Sequence, residues 1–351
     1  MASVSLLQGT KLAVKGIFNY IANRPMVVSY EVTLSCNCNC QHCGLGGLIK
    51  GEKQIGPEEY RSLTRSLKPA AAQISGGEPL LRKDIATVVK AIKDGGAQYI
   101  ILVTNGVLLT EERYLELREA GVNQLSVSLD FPDERHDEFR QRSGLYRRLE
   151  ETLPRLARLG YRDIILNTVI TKANVREILP LAKKAAEWGV DISYSAYTPL
   201  RTGNDGYCLK DSEDLEILRR AIDELLTLKK NDTHLTNPER ALRETLRFFE
   251  QGYMPNCKAG RRFLVVMPDG SLVPCSMHRN RYASRKEMIK KFSSTNECGG
   301  CYVAIRSYSE MSLLDHIKNL PVYICHMVFH VDRFSKPVAV RLHSTTGPHA
   351  A

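Results

Sequence analysis

The chain has 351 residues, of which 43% are hydrophobic and 25% are charged, and its net charge is +10. This composition is typical of a folded globular protein and excludes a disordered chain, a collagen-like repeat and a small disulfide-stapled domain. The basic excess favours anionic partners or a solvated positive surface. Because the sequence has no apolar run of about eighteen residues and no export signal, we predict a cytoplasmic protein without a transmembrane helix.

The first 25 residues are predicted to form a separate amphipathic element. Apolar residues recur at helical spacing through residues 4–21, together with Lys11 and Lys15. Two interpretations stay open for this basic helix. The favoured one packs it beneath the domain that follows, and the other places it on a membrane surface as a peripheral contact.

Residues 26–205 alternate short apolar runs with amphipathic helical patterns. The runs read as buried strands of a parallel sheet. Their starts lie about 25 to 45 residues apart, which is typical of repeated βα units. We therefore predict an α/β fold, a partial (β/α)6 TIM-like barrel that stays open, with its chemistry at the carboxyl ends of the strands. The six candidate strands are Val27–Leu34, Ala72–Ser75, Tyr99–Val103, Gln124–Asp130, Asp163–Thr168 and Val190–Ala196.

The pattern changes after residue 205. Residues 206–250 read as a helical linker, with helices predicted over Asp214–Lys229 and Ala241–Glu250. Residues 251–305 are turn-rich and carry cysteines, so we predict a small cysteine-rich C-terminal domain opened by a hairpin turn at Pro268–Gly270 and a returning strand at Val273–Cys275. Residues 306–351 read as a tail, and its Cys325–His330 segment as an apolar element rather than a metal site.

A cysteine-rich loop follows the first candidate strand. Cys36, Cys40 and Cys43 form a C-x3-C-x2-C pattern in a chain whose ten cysteines are not expected to pair as disulfides. Three thiolates on one tight loop can hold three irons of a cubane cluster and leave the fourth iron open. We interpret Cys38, which does not fit this spacing, as a buried thiol rather than a ligand.

A second motif, Gly76-Gly77-Glu78, follows the second candidate strand. Two glycines permit close backbone approach, and Glu78 can pair with a cation. Together with the cysteine loop, this motif resembles the radical SAM superfamily. The resemblance implies a 4Fe–4S cluster on Cys36, Cys40 and Cys43, with S-adenosylmethionine held by its amino group at Gly76, Gly77 and Glu78. It extends the S-adenosylmethionine pocket to Asn105, Ser128, Asp130, Asn167 and Tyr194.

The C-terminal cysteines resemble the SPASM extension of that superfamily in its shorter form, called twitch. The resemblance implies a second, auxiliary 4Fe–4S cluster, whereas a four-cysteine zinc site has the same ligand count and stays an alternative. Nearby basic side chains read either as a site for an anionic substrate or as charge balance around thiolates. The predicted ligands are Cys257, Cys275, Cys298 and Cys301, and the basic residues are Arg261, Arg262, His278, Arg279 and Arg281.

The resemblance implies an enzyme that reductively cleaves S-adenosylmethionine and abstracts hydrogen from a substrate C–H bond. We expect oxidative modification of a small-molecule or peptidic substrate, with a flavodoxin- or ferredoxin-type electron donor and no nucleic acid partner. A lipid substrate at the membrane surface is the runner-up. Rivals from another class are a non-enzymatic iron–sulfur electron carrier and a zinc-binding scaffold, neither of which needs the glycine pair and Glu78. No catalytic acid or base is assigned from the sequence.

Overall fold

The computed structural model describes residues 6–230 and 234–315, and its centre is an eight-stranded sheet. The sheet order is β6-β5-β4-β3-β2-β1-β7-β8, and all neighbouring strands are parallel except β7 and β8. This open, mostly parallel sheet confirms the predicted fold class, and all six candidate strands form. The strands are β1 Val27–Thr33, β2 Ala71–Gly76, β3 Tyr99–Thr104, β4 Gln124–Ser128, β5 Ile164–Ile170, β6 Asp191–Ala196, β7 Phe263–Val266 and β8 Leu272–Val273.

Helices follow most of the strands, as the βα pattern predicts. The helix after β1 shows why: Pro57 occupies its first turn, acidic side chains follow it there, and Tyr60, Thr64 and Leu67 form one buried face. The helices are α1 Leu6–Ile21, α2 Pro57–Leu67, α3 Ile85–Asp94, α4 Glu111–Ala120, α5 Arg135–Arg140, α6 Leu145–Ala157, α7 Ile178–Trp188, α8 Ser212–Leu228, α9 Glu239–Gln251, α10 Arg285–Met288 and α11 Ala304–Ser309.

The two faces of the sheet differ in polarity, because side chains alternate along each strand. On one face of β1, Tyr30 is fully buried and its hydroxyl hydrogen-bonds Thr64 Oγ1 of α2 at 2.7 Å. On the other face, Ser29 Oγ lies 3.0 Å from Ser75 Oγ of β2, and Glu31 lines a cavity of about 830 Å³. The sheet therefore packs one face against the helices and turns the other, on which polar and aliphatic side chains mix, to a central cavity.

Helix α1 packs against the barrel, as the favoured interpretation of the N-terminal segment predicts. Lys15 Nζ donates to Gly96 O at 2.5 Å, and Asn19 Nδ2 donates to Pro25 O at 2.7 Å. Gly16 and other residues of its inner face line the cavity. Among residues 6–230 and 234–315, no helix is both long enough and apolar enough to cross a bilayer.

The C-terminal hairpin joins the same sheet, because β7 pairs in parallel with β1. Its turn forms where it was expected, with Gly270 at φ +84° and the Met267 N–H donating to Ser271 O at 2.8 Å. Strand β8 ends at Val273 rather than continuing to Cys275, because Pro274 has no N–H to donate to a ladder. The domain divisions at residues 25, 205, 250 and 305 stay predictions, and the Cys325–His330 segment lies outside the described residues.

Candidate cofactor and substrate site

The cysteine loop begins just after β1 and carries three buried cysteines, of which Cys38 is the central one. Its side chain hydrogen-bonds those of Cys36 and Cys40, which lowers the pKa of each of these two thiols to about 7. The same two hydrogen bonds raise the pKa of Cys38. The loop therefore places one predicted ligand, Cys36 or Cys40, on each side of Cys38, which we interpret as a non-ligand.

The third predicted ligand, Cys43, lies at the cavity wall beside Arg201. Arg201 Nη2 donates to Cys43 Sγ at 2.8 Å and Nε donates to Cys43 O at 2.6 Å, so the residues after β6 hold the end of the loop. No three His, Cys, Asp or Glu side chains in residues 6–230 and 234–315 are arranged to hold a metal ion as they stand. The thiolate donors nevertheless suit an iron–sulfur cluster, and assembling them requires side-chain rotation.

The glycine pair lets the chain after β2 lie directly against the start of the cysteine loop. The Gly77 N–H donates to Thr33 O at 2.7 Å, and the Glu78 N–H donates to Ser35 O at 2.8 Å. A Cβ atom on Gly77 would lie 2.0 Å from Ser35 O, and Gly76 has a φ of +134°. Only glycine fits both positions without moving the backbone.

Glu78 is fully buried behind the cavity wall. Its carboxylate accepts from the Leu80 N–H at 3.0 Å, from Thr104 Oγ1 at 2.7 Å and from the Asn105 N–H at 2.7 Å. Burial raises its pKa, and these hydrogen bonds oppose the rise. In this arrangement Glu78 joins the ends of β2 and β3, so its role in orienting an amino group stays a prediction.

The other predicted pocket residues fall into two groups. Asn105 reaches the cysteine loop, where Nδ2 donates to Asn37 Oδ1 at 2.7 Å, while Ser128 and Asn167 are register partners across β4 and β5 and line the cavity. Tyr194 instead points into the packing behind the sheet, because its hydroxyl donates to Ile178 O of α7 at 2.7 Å. The structure thus brings Ser128 and Asn167 to the cavity and leaves Tyr194 outside it.

Asp130 forms an ion pair with Arg140, a residue that the sequence analysis did not single out. Burial opposes ionisation of Asp130, but Arg140 outweighs it and holds the carboxyl pKa below its usual range. Arg140 Nε donates to Asp130 Oδ2 at 2.6 Å, and Nη1 lies 3.9 Å from Cys40 Sγ. Because Arg140 also lines the cavity, this pair places a fixed positive charge between the cysteine loop and β4. Single arginines such as Arg140 and Arg201 carry no spacing signal that sequence reasoning could use.

A buried histidine behind this ion pair makes the fold acid-sensitive. The Asp130 N–H donates to His136 Nδ1 at 3.1 Å, and burial, against the attraction of Asp130, lowers the pKa of His136 from 6.5 to about 3; Arg140 and His42 lower it further. Because the pKa of His136 is lower in the folded state than in the unfolded state, its contribution to stability is complete above pH 6.5 and is lost as the pH falls. We expect the free energy of unfolding to decrease by about 2 kcal/mol between about pH 7 and pH 5 because of His136.

Urea unfolding at both pH values measures this loss. The side-chain oxygen of the His136→Asn variant can accept the same hydrogen bond but does not titrate. Between pH 7 and pH 5 this variant is therefore expected to lose about 2 kcal/mol less than the unmodified protein. Equal losses in the two proteins would show that His136 does not titrate on unfolding.

The four C-terminal cysteines come together beside the same cavity, and all four line it. Burial raises the pKa of Cys257 to about 12 and the pKa values of Cys275 and Cys301 to about 11. His278 lies between two of them, with its N–H 3.4 Å from Cys275 Sγ and its Nε2 3.4 Å from Cys298 Sγ. Thiols with raised pKa values hold their protons until a metal ion displaces them.

Arg306 ties these cysteines to the backbone around them and was missed by the sequence reasoning. Its fully buried guanidinium donates to Cys301 O at 2.5 Å and to Met254 O and Pro255 O at 2.7 Å. Its Nε donates to Glu310, whose other oxygen accepts the Lys258 N–H at 2.6 Å.

The predicted basic residues mostly have partners within the protein. Arg279 Nη1 donates to the buried Glu31 at 2.7 Å, and Arg281 pairs with Asp269. The Arg262 guanidinium lies 3.8 Å from the centroid of the Tyr20 ring. Arg279 and Arg281 are therefore paired with carboxylates of the chain itself, which argues against an anion site at these two positions and does not involve the thiolates.

Comparisons with known proteins agree with the resemblance drawn from the motifs. The family model for the radical SAM superfamily matches residues 30–185. An AdoMet-dependent heme synthase from Methanosarcina barkeri is 34% identical over 194 residues, which are 52% of this chain and 53% of that protein. The chain thus spans about half the length of that relative. A probable GTP 3′,8-cyclase from Methanothermobacter marburgensis is 26% identical over 287 residues, which are 76% of this chain and 89% of that protein.

A solved structure supports the fold over most of the chain. Streptococcus suis SuiB bound to precursor peptide SuiA superposes with a TM-score of 0.57 at 18% identity. The match covers 86% of this chain and 66% of SuiB. At this identity the likeness concerns the fold alone.

Proposed function

Residues 30–185 form a radical SAM domain, and from this premise we propose that the protein cleaves S-adenosylmethionine reductively and oxidises a C–H bond of its substrate. The family uses a 4Fe–4S cluster with S-adenosylmethionine. When bound, the cluster, reduced by an external electron donor, would supply one electron to the sulfonium of S-adenosylmethionine, whose C–S cleavage would give methionine and a 5′-deoxyadenosyl radical able to abstract a hydrogen atom from the substrate. Cys36, Cys40 and Cys43 would hold the cluster.

One observation carries the proposal: a single cavity borders both cysteine sets. Cys43 contributes from the first loop, and Cys257, Cys275, Cys298 and Cys301 contribute from the C-terminal segment. A substrate in this cavity would lie within reach of radical formation at one end and of an electron acceptor at the other. Abstraction of a hydrogen atom followed by loss of one electron completes a two-electron oxidation.

The chain's own residues would bind and orient the reactants. Ser128 at the carboxyl end of β4 and Asn167 in the middle of β5 present polar side chains to the cavity. Arg140, fixed by Asp130, gives a positive charge beside them that would pair with a carboxylate. Because such a radical reacts with any accessible C–H bond, the substrate would have to fill the cavity around it.

The volume of the cavity bears on the substrate class. About 830 Å³ lies in the range of sites that enclose a small molecule, and it also accommodates a peptide side chain with its flanking backbone. Two similar proteins are named as a heme synthase and a GTP cyclase, and a third, SuiB, was solved bound to a precursor peptide. Their variety supports a small-molecule or peptidic substrate without selecting between them.

Anaerobic reconstitution with iron and sulfide, followed by S-adenosylmethionine and dithionite, tests the proposal. We expect 5′-deoxyadenosine and methionine in equal amounts, measured by chromatography with mass detection. An electron carrier or a zinc scaffold gives neither product, so a loaded protein that yields none contradicts the proposed activity.

A further inference from the structure

Helix α1 carries an apolar stripe on the side away from the cavity. Val14, Phe18 and Ile21 follow one another at spacings of four and three residues, which places them on one helix face. They are 62%, 52% and 72% exposed. The opposite face, which includes Gly16 and Tyr20, lines the cavity, so packing against the barrel leaves the stripe uncovered within the described part of the chain.

A basic pocket of about 320 Å³ adjoins this stripe. Its lining includes Arg24, Lys68 and Arg285, and none of these three forms an ion pair within residues 6–230 and 234–315. Within the described residues, Arg285 donates only to the backbone carbonyls of Asn23 and Arg261, and its buried Nε has no hydrogen-bond partner there.

The pocket and the stripe are one continuous surface. The Arg24 guanidinium lies 4.9 Å from the centroid of the Phe18 ring and also lines the pocket. Lys11 extends from the stripe side of α1, and the helix contains no acidic residue. The positive charges of Arg24, Lys68 and Arg285 repel one another, and this repulsion costs free energy. An anion bound in the pocket would relieve the repulsion.

We propose that this surface docks the protein on an anionic lipid bilayer. A lipid phosphate occupies the pocket between Arg24, Lys68 and Arg285, while Val14, Phe18 and Ile21 enter the boundary between headgroups and acyl chains. A free phosphate would use the pocket alone and would leave three large apolar side chains in water. The inference is independent of the proposed radical chemistry, because none of these residues belongs to the cysteine sites.

Flotation of the full-length, cluster-loaded protein with vesicles tests the proposal. Vesicles of phosphatidylcholine with about 30 mol % phosphatidylglycerol are expected to bind it, and pure phosphatidylcholine vesicles much less, with binding that weakens as salt rises. The double variant Arg24→Gln, Lys68→Gln is expected to bind about 30-fold more weakly. Phe18→Ser is expected to bind about tenfold more weakly.

Two matched variants serve as controls. Lys183→Gln removes an exposed charge on α7, and Leu115→Ser removes a partly exposed leucine on α4; both are expected to bind like the unmodified protein. No binding to the anionic vesicles, or equal binding by Lys183→Gln and the Arg24, Lys68 double variant, overturns the proposal. A lipid-free dimer that Phe18→Ser converts to a monomer, seen by sedimentation, also overturns it, because a second copy would then cover the stripe.

Discussion

Replacing Cys40 with alanine is expected to abolish 5′-deoxyadenosine formation, whereas replacing Cys38 leaves most of it. Both side chains are buried in the same loop. Cys40 has the spacing of a ligand, and its pKa is lowered first by the hydrogen bond from Cys38 and also by Arg140 beside it. Cys38 donates hydrogen bonds to its neighbours, and binding of the cluster by Cys36 and Cys40 would make those bonds unnecessary.

The iron content separates loss of the cluster from loss of the fold. We expect about eight irons in the unmodified chain and in Cys38→Ala, and about four in Cys40→Ala, because the C-terminal site is untouched. Thermal unfolding of the three apoproteins is the control, since removal of one buried thiol has a similar cost at either position. If Cys38→Ala loses the iron and Cys40→Ala keeps it, the assignment of the ligands is wrong.

The order of the elements and the place of the motifs follow from local patterns, which is why they could be predicted. The apolar run that became β1 reads as a buried strand from its own residues. The two glycines after β2 were expected to allow close backbone approach, and the Thr33 and Ser35 carbonyls are what they approach. In each case the decisive signal lies within a few neighbouring residues.

Contacts between distant segments could not be predicted, because they depend on how the chain folds back. Arg201 reaches Cys43, and Arg306 reaches the backbone near Cys257, yet no spacing in the sequence links either pair. The position of β7 beside β1 has the same origin: the hairpin was expected, but its partner strand was not. Tyr194 lies on the predicted strand and faces away from the cavity, since a difference of one residue reverses the side of the sheet.

Arg306 gives the second large expected effect. Replacing it with glutamine leaves the carbonyls of Met254, Pro255 and Cys301 without their donor and the Glu310 carboxylate without its cation. We expect a loss of about 3–5 kcal/mol in the free energy of unfolding, the usual cost of breaking a buried ion pair from one side. Because those carbonyls flank Cys257 and Cys301, we also expect the C-terminal site to lose its metal.

The measurements are iron per chain, urea unfolding and 5′-deoxyadenosine formation in the absence of substrate. Arg306→Gln is expected to retain about four irons and to keep forming 5′-deoxyadenosine, because the first loop does not depend on Arg306. Arg118→Gln is the matched control: it removes an arginine whose partners are the buried Asp163 and the rings of Tyr114 and Tyr161, none of them a cysteine, and should destabilise the fold while keeping about eight irons. If both variants keep the same iron content, Arg306 stabilises the chain without positioning the C-terminal cysteines.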